Sequence, residues 1–220
     1  MKVCVKKVCG IIAASVGLSL CFVGAAFAVE PGEGAGSAGV VLSQAEIDEM
    51  WAEVDAAYEA QLEADAKDGI VPLAAKGTYP RTKGDILVTK DAYKGLIPTG
   101  HAAIIYGSNQ VIEALKQGVV TGKNNWNTSK KTCYGAQVIG TTAAKRAKAA
   151  DWAKKQLGKP YNYNFASINR TDAFYCSQLV WAAYRSAALI DICPSKIAGK
   201  AIYPPDLIKS LKTTKIVYRL

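Results

Sequence analysis

The 220-residue chain is half hydrophobic and one-fifth charged, with a formal net charge of +9, which suits one compact core plus extensions. A basic balance admits anionic partners, but no helix-turn-helix, zinc-finger or RNP pattern accompanies it, so nucleic acid is not an expected partner. One histidine and no C-x-x-C pair leave no metal-ligand pattern, and neither a metal nor a cofactor is expected.

Residues 1–28 read as a secretory signal peptide. Lys2, Lys6 and Lys7 form its basic start, residues 11–23 its short apolar run, and Ala26-Phe27-Ala28 its cleavage site. The run is too short for a stable membrane span, and none is expected once it is removed. Cys21 follows Leu20 rather than a small residue, so no lipid anchor is expected. The protein should therefore be secreted or held at the cell envelope. Cleavage near Ala28 also changes the cysteine count, leaving Cys133, Cys176 and Cys193. An odd number in an exported protein points to a free thiol or an intermolecular bond. The simplest partition pairs Cys133 with Cys193 and leaves Cys176 free, although the sequence does not establish that pairing.

Residues 29–42 form a Gly-rich tether. Ser43-Gln44-Ala45-Glu46 then supplies a capping box for a helix over residues 43–68. Its apolar stripe is Ile47, Met50, Trp51, Val54, Tyr58 and Leu62, and Gly69 stops it. Eleven acidic residues and one lysine lie between positions 29 and 70, whereas 23 basic and 7 acidic residues follow. The acidic face is either solvated or docked on the basic part of the chain.

Short strands are expected at 84–89, 101–105, 110–115, 118–121, 137–140 and 215–220. Tyr106-Gly107-Ser108-Asn109 makes a hairpin turn between the second and third. Thr141-Thr142 caps a helix ending near Leu157, residues 176–189 form another, and Pro204-Pro205-Asp206 opens a last short one. Strands sit among helices without regular β-α-β alternation, so the fold class is α+β.

The chemistry centres on Phe174-Tyr175-Cys176-Ser177-Gln178-Leu179-Val180-Trp181. Leu179, Val180, Ala183 and Tyr184 fall on one helix face, which puts Cys176 in the first helical turn. Exposed N–H groups and the positive end of the helix dipole favour a thiolate there. Alone, such a cysteine is equally a small core hydrophobe. A cysteine nucleophile needs a base, and His101 is the one histidine available. Glu113, the sole carboxylate between positions 92 and 150, sits on the strand that the hairpin brings back beside it. An acid flanked by Ile112 and Ala114 is costly to bury without a partner, and an imidazole N–H would be one.

Gly84-Asp85-Ile86-Leu87, Gly100-His101 with Ile104-Ile105-Tyr106-Gly107, and Val111-Ile112-Glu113-Ala114 together resemble the core of NlpC-type papain-like amidases. In most of those proteins the cysteine helix comes first; here it follows, as in the circularly permuted YiiX/YaeF-like branch, to which lecithin retinol acyltransferases are distantly similar. Leu157-Gly158-Lys159-Pro160-Tyr161 and Tyr203-Pro204-Pro205-Asp206-Leu207 also resemble pieces of the permuted pattern. Gln178 departs from it, since glutamate is common there.

The resemblance implies a permuted papain-like catalytic domain over residues 69–220, an antiparallel sheet packed on the nucleophile helix. It also implies Cys176 as nucleophile, His101 as base and Glu113 as the polar third member. The expected activity is cysteine-dependent cleavage of an amide bond through a thioester, in cell-wall peptides or their fragments, with anionic wall polymers as further partners. Two other functions fit the same features: lipid acyl transfer or thioester hydrolysis, and an inactive wall-binding module.

Overall fold

The computed structural model describes residues 42–70, 75–92, 97–194 and 200–220, all within the unit Gly36–Leu220. The expected signal peptide and all but the last residue of the expected Gly-rich tether lie outside the described residues.

Six strands make one antiparallel sheet: β1 (Ile86–Thr89), β2 (His101–Gly107), β3 (Gln110–Leu115), β4 (Gly118–Lys123), β5 (Tyr134–Val138) and β6 (Thr214–Arg219). Their order is β4-β3-β2-β1-β5-β6. With helices among and beside the strands, the architecture is α+β. β1 is central and every one of its residues is buried, which is why it reads as an unbroken apolar run. Alternation separates two apolar faces. Ile86, Val88, Ala102, Ile104 and Ile112 meet the helices, whereas Leu87, Ala103, Ile105 and Val111 pack with Trp126 and Cys133.

β5 begins three residues before the expected start. Tyr134, Ala136 and Val138 are the positions that alternate into the core, and Gly135 runs so close to Pro80 that a Cβ there would lie 2.5 Å from its ring. A short helix, α2 (Trp126–Ser129), was not expected at all, because four residues give no periodicity to read.

Helix α1 (Gln44–Lys67) has the capping box its sequence announces, with the Ser43 amide donating to Glu46 Oε2 at 2.7 Å and the Glu46 amide to Ser43 Oγ at 3.3 Å. The helix is docked. Trp51, Val54, Tyr58 and Gln61 are buried against the sheet side of the domain. Trp51 Nε1 donates to the Thr99 carbonyl, and Gln61 bonds both backbone groups of Ile216 as a strand neighbour would. Its acidic face meets basic partners: Asp55 with Lys90 and Arg219, Glu53 with Lys209, Glu59 with Arg219, and Asp65 with Lys215.

Helix α3 (Ala143–Lys154) starts at Thr142, whose hydroxyl accepts from the Lys145 amide, and buries Ala149, Ala150 and Ala153. Helix α4 (Cys176–Ala183) is buried along its whole length. Where one helix was expected to run to Leu189, the chain instead widens into a π turn, Tyr184–Ala188, and stops at Leu189 in left-handed conformation. The Tyr184 hydroxyl donates to the Gly84 carbonyl, which fixes that turn to the start of β1.

No disulfide joins Cys133 and Cys193; both remain thiols. Cys133 packs with Leu87 and Ala103 on one sheet face, and Cys193 belongs to the helix-side core on the other. The sheet itself separates the two sulfurs.

Candidate active site

Two element ends meet at the site. His101 is the first residue of β2 and Cys176 the first residue of α4. Gly100 makes the entry to β2 possible: it has φ +117°, and a Cβ there would come within 2.1 Å of the Thr89 carbonyl oxygen. Tyr175 fixes the entry to α4, its hydroxyl donating to the Phe165 carbonyl and accepting from the Ile202 amide. Ser177 Oγ donates to the Ile202 carbonyl at 2.7 Å. The start of α4 is thus tied to residues 165 and 202 from both sides.

Cys176, His101 and Glu113 come together. His101 Nε2 lies 2.6 Å from Glu113 Oε2, and Cys176 lies close enough to the ring to act on its charge. Glu113 pairs with Ala103 across β2 and β3, so the hairpin register sets its carboxylate beside the imidazole. Cys176 and His101 are fully buried and Glu113 nearly so. Burial opposes charge on the ring, but the neighbouring Cys176 and the hydrogen-bonded Glu113 outweigh it and raise His101 from its ordinary value to about 9.

Three further side chains shape this centre and were not assigned to it from sequence. Trp126 stacks on the His101 ring, with centroids 5.4 Å apart and planes 26° apart, while Lys130 Nζ sits over the Trp126 ring at 5.3 Å. The Tyr161 hydroxyl is buried and makes no hydrogen bond of normal geometry among the described residues. It is raised by burial first and by the nearby Cys176 charge second, and it faces the Ile97 amide. Tyr161 was visible as part of a motif, but nothing in its spacing gave it a role.

Gln178 explains its own departure from glutamate. Its Oε1 accepts from the Tyr175 amide and from Asn162 Nδ2, while its Nε2 points at the carbonyls of Ser167, Ile168 and Arg170. A carboxylate at that position would set an anion against three carbonyl oxygens. Gln178 and Asn162 therefore hold the loop before α4 and touch neither His101 nor Glu113 in any of these bonds.

Against known proteins, residues 83–218 match the family model described as permuted papain-like amidase enzyme, YaeF/YiiX, C92 family. The chain is 30% identical over 139 residues to the uncharacterized protein YycO of Bacillus subtilis (strain 168). That match takes in 61% of this chain and 55% of YycO, so the chain spans about half the length of that relative. A crystal structure titled metalloprotein yiiX, from Escherichia coli O157:H7, is similar at 18% identity and a TM-score of 0.48, over 65% of this chain and 99% of that one.

Proposed function

The chain belongs to the YaeF/YiiX family of permuted papain-like amidases, which makes it a hydrolase of the cysteine-amidase kind, and from that premise we propose that it cuts an amide bond in exported cell-wall peptides or their fragments. Cys176 is the nucleophile, His101 the acid and base, and Glu113 the group that orients and charges the imidazole. The observation that carries this reading is the His101 ring held by Glu113 at 2.6 Å and acted on by the neighbouring Cys176 in a buried setting.

The chemistry follows from that arrangement. Glu113 fixes the ring and favours its imidazolium form, whose positive charge stabilises a thiolate on Cys176. The thiolate attacks the carbonyl carbon, forming the C–S bond and moving the carbonyl electron pair onto oxygen. The Cys176 backbone N–H at the start of α4 and the Tyr161 hydroxyl are donors for that oxyanion. Collapse breaks the C–N bond while His101 gives its proton to the departing amine. Water then loses a proton to His101 and attacks the thioester. Collapse of that adduct breaks the C–S bond and returns the electron pair to sulfur, so the acid leaves and the thiolate stands again beside the protonated ring.

The wall substrate and export rest on the sequence: the basic, apolar and A-x-A order of residues 1–28, and the excess of lysine and arginine after position 70. Two measurements test the proposal. Intact mass after brief iodoacetamide treatment should show one fast adduct on Cys176, slowed by His101→Ala. Purified wall peptides should release free amines in proportion to enzyme. Modification no faster than that of the unfolded chain would return Cys176 to a packing role. Movement of a lipid acyl group without amine release would make the protein an acyltransferase, and wall binding without turnover a binding module.

A further inference from the structure

We infer that Gly122 is a positioning residue, whose missing side chain forms the slot that holds the Glu113 carboxylate against His101. The inference rests on the reading of Cys176, His101 and Glu113 as the reacting constellation. In the β3–β4 register Glu113 faces Val120 and Val111 faces Gly122, so a side chain at 122 would emerge on the same sheet face as Glu113. A Cβ placed on Gly122 would lie 1.9 Å from Glu113 Oε1, 2.9 Å from its Cδ and 3.0 Å from Val111 Cγ2. Carbon and oxygen do not approach to 1.9 Å without a bond, so the carboxylate would have to move by more than about 1 Å to reach ordinary contact. Its other oxygen holds a 2.6 Å hydrogen bond to His101, and a shift of that size breaks it.

Backbone geometry does not demand glycine here. Gly84, Gly100 and Gly118 have positive φ, and Gly122 does not. Glycine inside a strand is otherwise a poor choice, because it adds chain entropy to the unfolded state and gives no cross-strand packing. What position 122 supplies is space, and the carboxylate occupies it. Gly107, at the end of β2, provides the contrast: nothing lies within 4 Å of a Cβ built there.

The test needs no substrate, because His101 is the single histidine of the chain and its imidazole NMR signal can be followed through pH without ambiguity. Glu113 from β3 and Cys176 from α4 set its charge, with Lys130 beyond the Trp126 ring. Four proteins are compared with wild type: Gly122→Ala, Glu113→Ala, the double variant and Gly107→Ala. The titration midpoint, about 9 in wild type, should fall by on the order of one unit in Gly122→Ala and Glu113→Ala and stay in place in Gly107→Ala. The rate of Cys176 alkylation by iodoacetamide should follow the midpoint. In the double variant Gly122→Ala should add nothing to the loss caused by Glu113→Ala, because the obstructed group is gone.

Should Gly122→Ala fail to fold while the double variant folds, the contact with Glu113 is the cause and the inference stands. A midpoint unmoved by Gly122→Ala overturns the slot while leaving the reading of Glu113 intact. Additive losses in the double variant, or a double variant that also fails to fold, overturn it as well, since Gly122 would then act without Glu113. A midpoint unmoved by Glu113→Ala would instead sink the role of Glu113, and the slot with it.

Discussion

The chain uses opposite charges in two ways, and the contrast separates chemistry from assembly. At the active site one pair, His101 and Glu113, meets at 2.6 Å with almost no solvent contact, so each charge acts on the other at low dielectric. Along α1, five ion pairs link acidic side chains to Lys90, Lys209, Lys215 and Arg219, and all of them keep partial contact with water. Exposed pairs of that kind are worth about 0–1 kcal/mol each and weaken with salt. In the proposed mechanism one pair tunes a reaction. The others orient a helix that its apolar stripe holds in place.

The sharpest break in this picture comes at the proposed nucleophile. Cys176→Ser should remove hydrolysis by several orders of magnitude and leave the fold unchanged, because a hydroxyl is far less acidic than a thiol in the same place. Turnover above about a tenth of wild type would mean that Cys176 is not the attacking group. Next comes Glu113. Glu113→Ala should cost on the order of 10² to 10⁴ in rate, and Glu113→Gln less, because one acceptor oxygen survives. Both should move the alkaline limb of the rate profile to lower pH, since the carboxylate supports the imidazolium. The same linkage acts on stability. The His101 value is raised on folding, so its stabilising contribution is complete below about 6.5, the unfolded value, and is lost as pH rises through about 9. In Glu113→Ala that loss should begin at lower pH, which chemical denaturation at several pH values will read.

The three residues that the structure brings together were legible as candidates because the chain offers so few. One histidine, one carboxylate across a long stretch, and a cysteine opening an apolar helix leave little choice of partners. That a hairpin returns Glu113 beside His101 was legible from the turn signal; the register was not, since Tyr106 and Gly107 continue β2 and Glu113 pairs with Ala103. Trp126, Tyr161 and Gly122 were not, because their parts depend on tertiary placement. Trp126 reaches His101 only once the fold sets α2 against the start of β2, and Gly122 is a slot only in the register that sets it diagonal to Glu113. The suggested Cys133–Cys193 pairing failed for a related reason: counting cysteines says nothing about which sheet face each one occupies.

The docking of α1 gives the remaining tests. Trp51 is buried, stacks on Tyr134 at 5.4 Å and donates to the Thr99 carbonyl, two residues before His101. Trp51→Ala should lower stability by about 3–5 kcal/mol through lost burial and the cavity left behind. If it also moves the His101 titration midpoint, the helix and the site are coupled, and the division between assembly and chemistry fails.

The smallest effect should come from the ion pairs themselves. Asp55 is the best placed, since Lys90 and Arg219 lie within 3.1 Å of its carboxylate and the Tyr134 hydroxyl donates to it at 2.8 Å. Burial works against its ionised form, but the Tyr134 and Lys90 hydrogen bonds and the two cations win and hold it below the usual carboxylate range. Its contribution is therefore present above about 3.9, the unfolded value, and fades as pH falls through the lower folded one. Asp55→Asn keeps the shape and an acceptor oxygen but drops the charge, so it should cost no more than about 1 kcal/mol at neutral pH. Thermal unfolding at about 0.05 and 0.5 M salt is the check. Wild type should lose more of its midpoint with added salt than Asp55→Asn does. Equal losses would show that the charges along α1 add nothing, and that Trp51, Val54 and Tyr58 alone keep the helix on the domain.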